Sequence, residues 1–424
     1  MRLLSLLSCT AISGFALLIG EADDPGLAAN GSGNVSAFWE EYKDNCFAIH
    51  TANYLTRSGW QAPTRLSVST DAFDPEAAMN SAGNTLVVWR QNTGAYYAIY
   101  GAAAQVGDVW STPVQLSTAD SYFAEIGLDN DGHGVAVWQE RIDPRNVCLA
   151  TASFTPGSGW SAPTKLSDSS QVMMAPEVNT GSNGRTVAAW QIPSSQGTYF
   201  RLVIQGAYYS AGAGWSTPVT LTNVNHDSVA ACVGVSSNGE ALVVWEGGFG
   251  ETFDQLGAAT LSADGNWGAP LVISGDGVAA VHPDFAMNDS GQAVVAWKTP
   301  TGSDVAVMAL IRAADGTWGT VRELAPTNGN LPEVAINSSG KAIVIWTEKG
   351  GSDARIKAAT YADGNWSASV YISDAGSIAS QPEVRVNTDG SATAAWQSDL
   401  NNEALIVSAQ MGTDNVWGVP VVIN

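Results

Sequence analysis

Charge is what this sequence has least of. Only 14% of the 424 residues are charged, well under the roughly 25% of an average soluble protein. Basic residues are the scarcest, with 18 Lys+Arg against 40 Asp+Glu and a formal charge of −22. That balance excludes DNA or RNA as the main partner, because phosphate binding needs a basic footprint. It also excludes docking on anionic lipid surfaces. Cysteine is nearly absent: Cys9, Cys46, Cys148 and Cys232 show no metal-type spacing. The last three read as small buried apolar residues. Of the few histidines, His226 and His282 fall in successive crossing loops and read as solvated. No Gly-x-Ser-x-Gly elbow and no His-Glu-x-x-His is present. Beyond the N-terminus, no run approaches the ~18 apolar residues of a transmembrane helix, so no embedded membrane domain is expected. The hydrophobic fraction of 45% is too high for a disordered chain.

The one long apolar run opens the chain. Met1 and Arg2 precede Leu3 to Ile19, and Gly20-Glu21-Ala22 supplies small residues at its end. This pattern predicts a signal peptide over 1–22, and hence a secreted, periplasmic or cell-surface protein. An uncleaved anchor, or lipid on Cys9 after Leu6-Leu7-Ser8, is the weaker alternative.

Tryptophan is what the chain has in excess, and all 16 fall in two registers. One set is Trp39, Trp89, Trp138, Trp190, Trp245, Trp297, Trp346 and Trp396, at gaps of 50, 49, 52, 55, 52, 49 and 50. The other is Trp60, Trp110, Trp160, Trp215, Trp267, Trp318, Trp366 and Trp417, each 20 to 25 residues after its partner. Six residues before every first-set Trp stands a Gly, from Gly33 to Gly390. Fourteen before it there is usually a Pro: Pro25, Pro75, Pro176, Pro283, Pro332 and Pro382. Residues 23–424 are therefore eight repeats of about 50 residues, with no second domain left over.

Each repeat reads as four short strands. Pro332 to Asn337 shows the first, a turn ending in Gly340 follows, and Ala342 to Trp346 is the second. Ile356 to Tyr361 is of the third type and Trp160 to Ser167 of the fourth. Runs such as Leu86-Val87-Val88-Trp89 do not alternate, so both faces of the second strand are expected to be buried. A two-layer sandwich leaves one face wet. A ring of four-stranded blades buries both. Repeats of this length with four strands predict an all-β, eight-bladed β-propeller. Seven blades with one displaced repeat is the alternative. The register begins on a first strand and ends on a fourth, so closure is expected to rest on packing between the first and last blades. The WD40 Asp never follows the first-set Trp, whose next residues are Glu40, Arg90, Gln139, Gln191, Glu246, Lys298, Thr347 and Gln397.

Ser262-Ala-Asp-Gly-Asn-Trp267, Ala-Asp-Gly-Thr-Trp318 and Ala-Asp-Gly-Asn-Trp366 resemble the Asp-box hairpin of sialidase-type propellers, Ser-x-Asp-x-Gly-x-Thr-Trp. The turn here is shorter, and repeats 1, 3 and 4 lack the Asp. The repeat also resembles Trp-rich bacterial lectin propellers. Both likenesses cover the mature chain at the level of architecture and single out no one family.

The most regular polar position lies thirteen residues before the first-set Trp: Glu76, Glu125, Glu177, Asp284, Glu333 and Glu383, with Gly26 and Cys232 in repeats 1 and 5. It reads as the start of the first strand, at the same end as the residue after Trp. An acidic inner ring is therefore expected on one face. Such carboxylates either accept backbone N–H groups of a neighbouring loop, hydrogen-bond sugar hydroxyls, or hold a cation such as Ca²⁺. No cofactor beyond that ion is expected. Around the ring, Arg90, Arg141, Tyr96 and Tyr97 are candidate ligand-binding residues. Tyr122, Phe123, Tyr199 and Phe200 offer further aromatic faces for sugar or protein. Asp129 to Gly132 resembles a calcium loop, but its EF-hand register fails at Gly127 and Trp138. With no catalytic signature, the leading expectation is a monomeric recognition module for glycan or a surface protein. A glycoside hydrolase or lyase of sialidase-like architecture and a non-catalytic envelope scaffold are the alternatives.

Overall fold

A computed structural model describes residues 22–424, apart from 44, 69, 168–173, 195–200, 249–253, 276–277 and 401–402. The expected leader thus lies outside the described residues except for Ala22, as do Tyr199 and Phe200. Every regular element among the described residues is a β-strand. No described helix is long and apolar enough to cross a membrane.

Unit 2 shows the pattern. Ala72–Met79, Asn84–Asn92, Tyr97–Gln105 and Val114–Gln115 pair in sequence order, all antiparallel. The same meander recurs in each repeat, and the last two are joined by a single parallel bridge from Ala354 to Ile378. The fourth strand differs from the expectation. In unit 3 it breaks into Gly159–Trp160 and Thr164–Lys165, both on the third strand. Pro163 lies in the break, and it has no N–H to give the ladder.

First strands touch first strands around a closed circuit of eight units, Ile378–Val386 of the eighth meeting Ala22–Ala29 of the first. The closure exchanges no strand: the four strands of each terminal unit are consecutive in sequence. Thr388 N–H donates to Gly31 O at 2.8 Å across this seam. Ala22, Leu27 and Trp39 share one apolar cluster with Ala395, Ile406 and Ile423.

The first-set Trp are the largest side chains of the interior, from 0% to 2% exposed. Leu86, Val87, Val88 and Trp89 are all buried, so the non-alternating run does lie between two neighbours. The second-set Trp makes the joint between units. A Cβ on Gly101 would lie 2.9 Å from the Trp160 ring, and one on Gly206 2.9 Å from Trp267. Each ring therefore lies on the third strand of the preceding unit, where only a small residue fits. Trp60 repeats this at the seam, in the cluster with Ala395 and Ile406. Cys148 is buried as expected, whereas Cys46 and Cys232 are only half-buried, and all three are free thiols.

A second joint lies in the turns between first and second strands. Asn337 Oδ1 accepts the N–H groups of Ser339 and Lys341, both at 3.0 Å. Its Nδ2 donates to Asn387 O of the next unit at 2.8 Å. Asn80 and Asn288 reach the following turn in the same way, at 3.0 and 2.8 Å. Gly340, at φ 83°, lets the turn close.

Removing one amide should therefore loosen two units at once. Asn337 is 4% exposed, so Asn337→Ala strands buried backbone partners at about 1–3 kcal/mol for each unsatisfied group. We expect a loss of about 2–4 kcal/mol in denaturant unfolding. Asn337→Asp should cost less, because it keeps the turn acceptor. A change under about 0.5 kcal/mol, the scale of ordinary surface substitutions, would show that the joint carries no stability.

Candidate functional site

The meander places the turns within hairpins 1–2 and 3–4 at one end of each unit. The 2–3 loops and the crossings between units lie at the other end, the loop face. The Asp-box-like hairpins are 3–4 turns and so lie away from the loop face. There Ser262 Oγ accepts Asn266 N–H at 3.1 Å.

At the loop face every first strand is bulged. In unit 2 the register slips between Phe73 and Glu76, and corresponding slips occur in all eight units. Each bulge holds one non-glycine residue in the left-handed region: Asp24, Asp74, Phe123, Ala175, Ala230, His282, Leu331 and Gln381, with φ from 45° to 55°. Six of them precede the repeat Pro. Phe123 and His282 were singled out for their side chains, but none of the eight was expected to be a bulge residue. The recurring x-Pro-acid triplet was the signal that could have found them.

The acidic position sits two residues past the bulge, inside the strand rather than at its start. Glu76, Glu125, Glu177, Asp284, Glu333 and Glu383 each stand opposite the residue before Trp, at one level around the channel. Below this level lies a cavity of about 260 Å³, lined by residues including Leu27, Met79, Leu128, Thr180 and Arg385. The acids are half-buried apart from Glu125, which is 7% exposed. Asp284 Oδ2 accepts Val334 N–H of the next unit at 2.7 Å, the structural bond expected of the position. Glu333 hydrogen-bonds the Asp284 side chain. Burial, and then Asp284, raise the Glu333 carboxyl well above its usual range, so it holds the shared proton. Glu383 pairs with Arg385 at 3.1 Å.

The bulge completes a denser acidic group. Carboxyl oxygens of Asp24, Glu40 and Asp74 lie within 4.8 Å of one another. Glu40 Oε1 accepts the Asp74 N–H at 2.7 Å. Burial, then the charges of Asp74, Glu76, Asp23 and Glu383, raise Asp24 to about 8. Glu40 is raised well above the carboxylate range, first by burial and then by Asp24. Asp74 is raised by burial, with Arg90 opposing. Oxygen donors of this kind suit a hard cation, but Arg90 and the Asp74 N–H already occupy two of the three groups.

Beside that cluster lies an aromatic sector of units 1–3. Arg90 Nε is 3.2 Å from Asp74 Oδ2. Its guanidinium carbon sits over the rings of Phe73, Tyr97 and Tyr122, at 5.3, 5.0 and 5.6 Å. Arg141 pairs with Asp120 at 3.2 Å and also lies over Tyr122, at 5.6 Å. The Tyr122 hydroxyl donates to Asp120, and burial followed by that bond raises it to about 12. Phe47 and Tyr42 extend the sector, ring to ring at 5.1 Å from Phe73 and 5.0 Å from each other. Arg90, Arg141 and Tyr97 are thus brought together, as is Tyr122. Tyr96 is not: its hydroxyl accepts from Gln115 of its own outer strand at 3.3 Å. Phe73, Asp74 and Asp120 were not foreseen.

His282 also departs from expectation. It is no solvated loop residue but a bulge residue within Val281–Met287. Its N–H donates to Glu246 Oε2 at 2.7 Å, and burial, then the charge of Lys298, lowers its pKa to about 4.

No protein-family model matches the chain, and no curated protein does. Solved structures do match. An ulvan lyase of polysaccharide lyase family PL25 aligns at TM-score 0.51 and 10% identity, over 83% of this chain and 93% of that one. The β-propeller domain of the Trilobed protease from Pyrococcus furiosus, described as having an open velcro topology, aligns at TM-score 0.50 and 10% identity, over 85% and 99%. A leech intramolecular trans-sialidase aligns more loosely, at TM-score 0.40 and 9% identity, over 95% and 91%. At such identities the likeness is one of fold: the chain is a β-propeller.

The raised carboxyls give stability a sign with pH. A carboxyl raised on folding holds a proton that the unfolded chain releases, so its contribution weakens as pH rises between the two pKa values. For Asp24 that window runs from its ordinary value of 3.8 to about 8. His282 acts oppositely, but only between about 4 and its ordinary 6.5. From pH 6.5 to 8 the carboxyls therefore act alone of these, and the melting temperature should fall. Asp24→Asn, which keeps a residue tolerant of positive φ, should flatten that fall. A melting temperature that rises over this window, or an unchanged slope in the variant, would refute the assignment.

Proposed function

We propose that this protein binds carbohydrate at one asymmetric site on the loop face of units 1–3. The observation that carries the reading is the Arg90 guanidinium, held over three aromatic rings by Asp74 beside the Arg141–Asp120–Tyr122 group. Aromatic faces suit the C–H faces of sugars, and paired charges at the rim offer donors and acceptors to hydroxyls. Among the described residues the arrangement occurs in one sector and not in every unit, which favours a ligand role over a purely structural one. Arg90 and Arg141 are both paired, which suits hydroxyl groups better than a free anion. The ulvan lyase likeness supports a carbohydrate reading without fixing the ligand. The expected leader over 1–22 fits action outside the cytoplasm.

A second reading, turnover of the bound glycan, is favoured by one observation. Asp24, raised to about 8, holds a proton at neutral pH beside Asp74, as a general acid beside a carboxylate would.

A glycan array followed by calorimetry tests both. Tyr97→Ala and Arg90→Met should each weaken binding by about tenfold or more, the scale of losing an aromatic or Arg anchor. Tyr96→Ala should change it little. No bound glycan, or equal effects of Tyr96→Ala and Tyr97→Ala, would sink the binding reading. Chain cleavage of the bound glycan, lost in Asp24→Asn while binding persists, would establish turnover.

A further inference from the structure

Units 1–2 and 5–6 carry the same joint with one chemical difference. In the first pair Glu40 accepts the N–H of Asp74 at 2.7 Å. In the second Glu246 accepts the N–H of His282, also at 2.7 Å. Asp74 and His282 hold the same left-handed position in their bulges, at φ 55° and 52°. Arg90 and Lys298 both follow the buried Trp and pair across to the residue before the bulge, Phe73 and Val281. Where Arg90 meets the carboxylate of Asp74, Lys298 therefore meets an imidazole.

That substitution leaves the cation short of a partner. Among the described residues no carboxylate forms an ion pair with Lys298, whose Nζ donates to Asn330 Oδ1 at 3.0 Å. An ammonium has three donors, and one of them has a partner among the described residues. His282 Nδ1 is buried with no hydrogen-bond partner. Glu246 is the opposing charge that acts on Lys298, without forming an ion pair with it, while its Oε2 accepts the His282 N–H. Lys349 adds a second positive charge beside Lys298, and Asp254 acts on Glu246. Burial lowers the Lys298 pKa, as expected of a half-desolvated cation lacking a close counter-ion. An oxyanion there would restore the ion pair that Asp74 supplies to Arg90 in unit 2.

We propose that Lys298, with Asn330 and His282 beside it, forms a second subsite on the loop face that binds the carboxylate or sulfate of an acidic sugar. It rests on the carbohydrate reading above and names the class of glycan. Units 2 and 6 are four apart in a circuit of eight, so the anion sits across the channel mouth from the aromatic sector.

Calorimetry tests this on the full chain with four probes: an oligogalacturonate, the same oligomer with its carboxyls reduced, dextran sulfate, and dextran. A charged oligomer should bind about tenfold or more tighter than its neutral counterpart, a difference of about 1.4 kcal/mol. The arm that shows it identifies carboxylate or sulfate. Lys298→Met and His282→Asp should each remove the preference, the second by supplying an internal carboxylate. Lys298→Arg should keep it. Asp already occupies this bulge in units 1 and 2, so His282→Asp should fold, and an unchanged melting temperature checks that. Tyr97→Ala should weaken charged and neutral probes alike. Equal binding of charged and neutral probes, or a preference that survives both variants, overturns the subsite and leaves the carbohydrate reading standing. If no oligosaccharide binds, that reading fails. The subsite then stands only if glucuronate or sulfate ion raises the melting temperature of the wild type and not of Lys298→Met, and is overturned if it does not.

Discussion

The loop face depends on one backbone constraint, the bulge that puts a non-glycine residue at positive φ in every first strand. Each such residue costs about 1–2 kcal/mol relative to an ordinary strand conformation, and the chain accepts this eight times. Pro follows in six units and fixes the next φ while removing an N–H that the slipped ladder could not use. At two joints the N–H of the strained residue is held by a glutamate after the Trp of the preceding unit. Strain and inter-unit bonding therefore coincide. The slip also decides which side chains gather at the channel mouth, and Asp24, Asp74 and His282 are all bulge residues.

This explains which parts of the molecule were legible. Trp89 and its seven counterparts repeat as a residue type because only one side chain of that volume fills the space between two sheets. Gly83 and its counterparts repeat because the turn needs positive φ without a Cβ. The bulge repeats as a conformation, not as a residue: Asp, Asp, Phe, Ala, Ala, His, Leu and Gln share it. The residue types at that position do not reveal it; only the Pro and the acid that follow mark its place. Chemical variety collects there for the same reason, that the conformation and not the residue repeats. The acidic ring was legible as a position, yet the proton shared by Asp284 and Glu333 depends on two units being adjacent. Asn337 lay in a turn already assigned to its Gly, which hid the amide's second task of holding Asn387.

Closure without strand exchange follows from the uniformity of the joints. Trp60 on unit 8 repeats Trp160 on unit 2, and the Thr388–Gly31 bond stands where turn amides link other units. A seam whose Trp packs as at the other joints, with a backbone bond between turns, closes without strand exchange. What distinguishes it is charge, since Asp24 feels both Glu383 of unit 8 and Asp74 of unit 2. Protons held there relieve a repulsion that would otherwise act across the one joint whose two units are far apart in sequence.

The same protons bear on the formal charge of −22. That figure counts every carboxylate as ionised, but Asp24 is raised to about 8, and Glu40 and Glu333 are raised well above the carboxylate range, first by burial and then by neighbouring carboxylates. Part of the acidic excess is therefore internal wiring of the channel rather than surface field. On the loop face Arg90 and Arg141 are paired with Asp74 and Asp120. Charges beyond about 8 Å are screened at physiological salt. On the proposed reading, a ligand is therefore selected by what it meets on contact: rings and paired charges on one side of the mouth, and on the other a cation that forms no ion pair among the described residues.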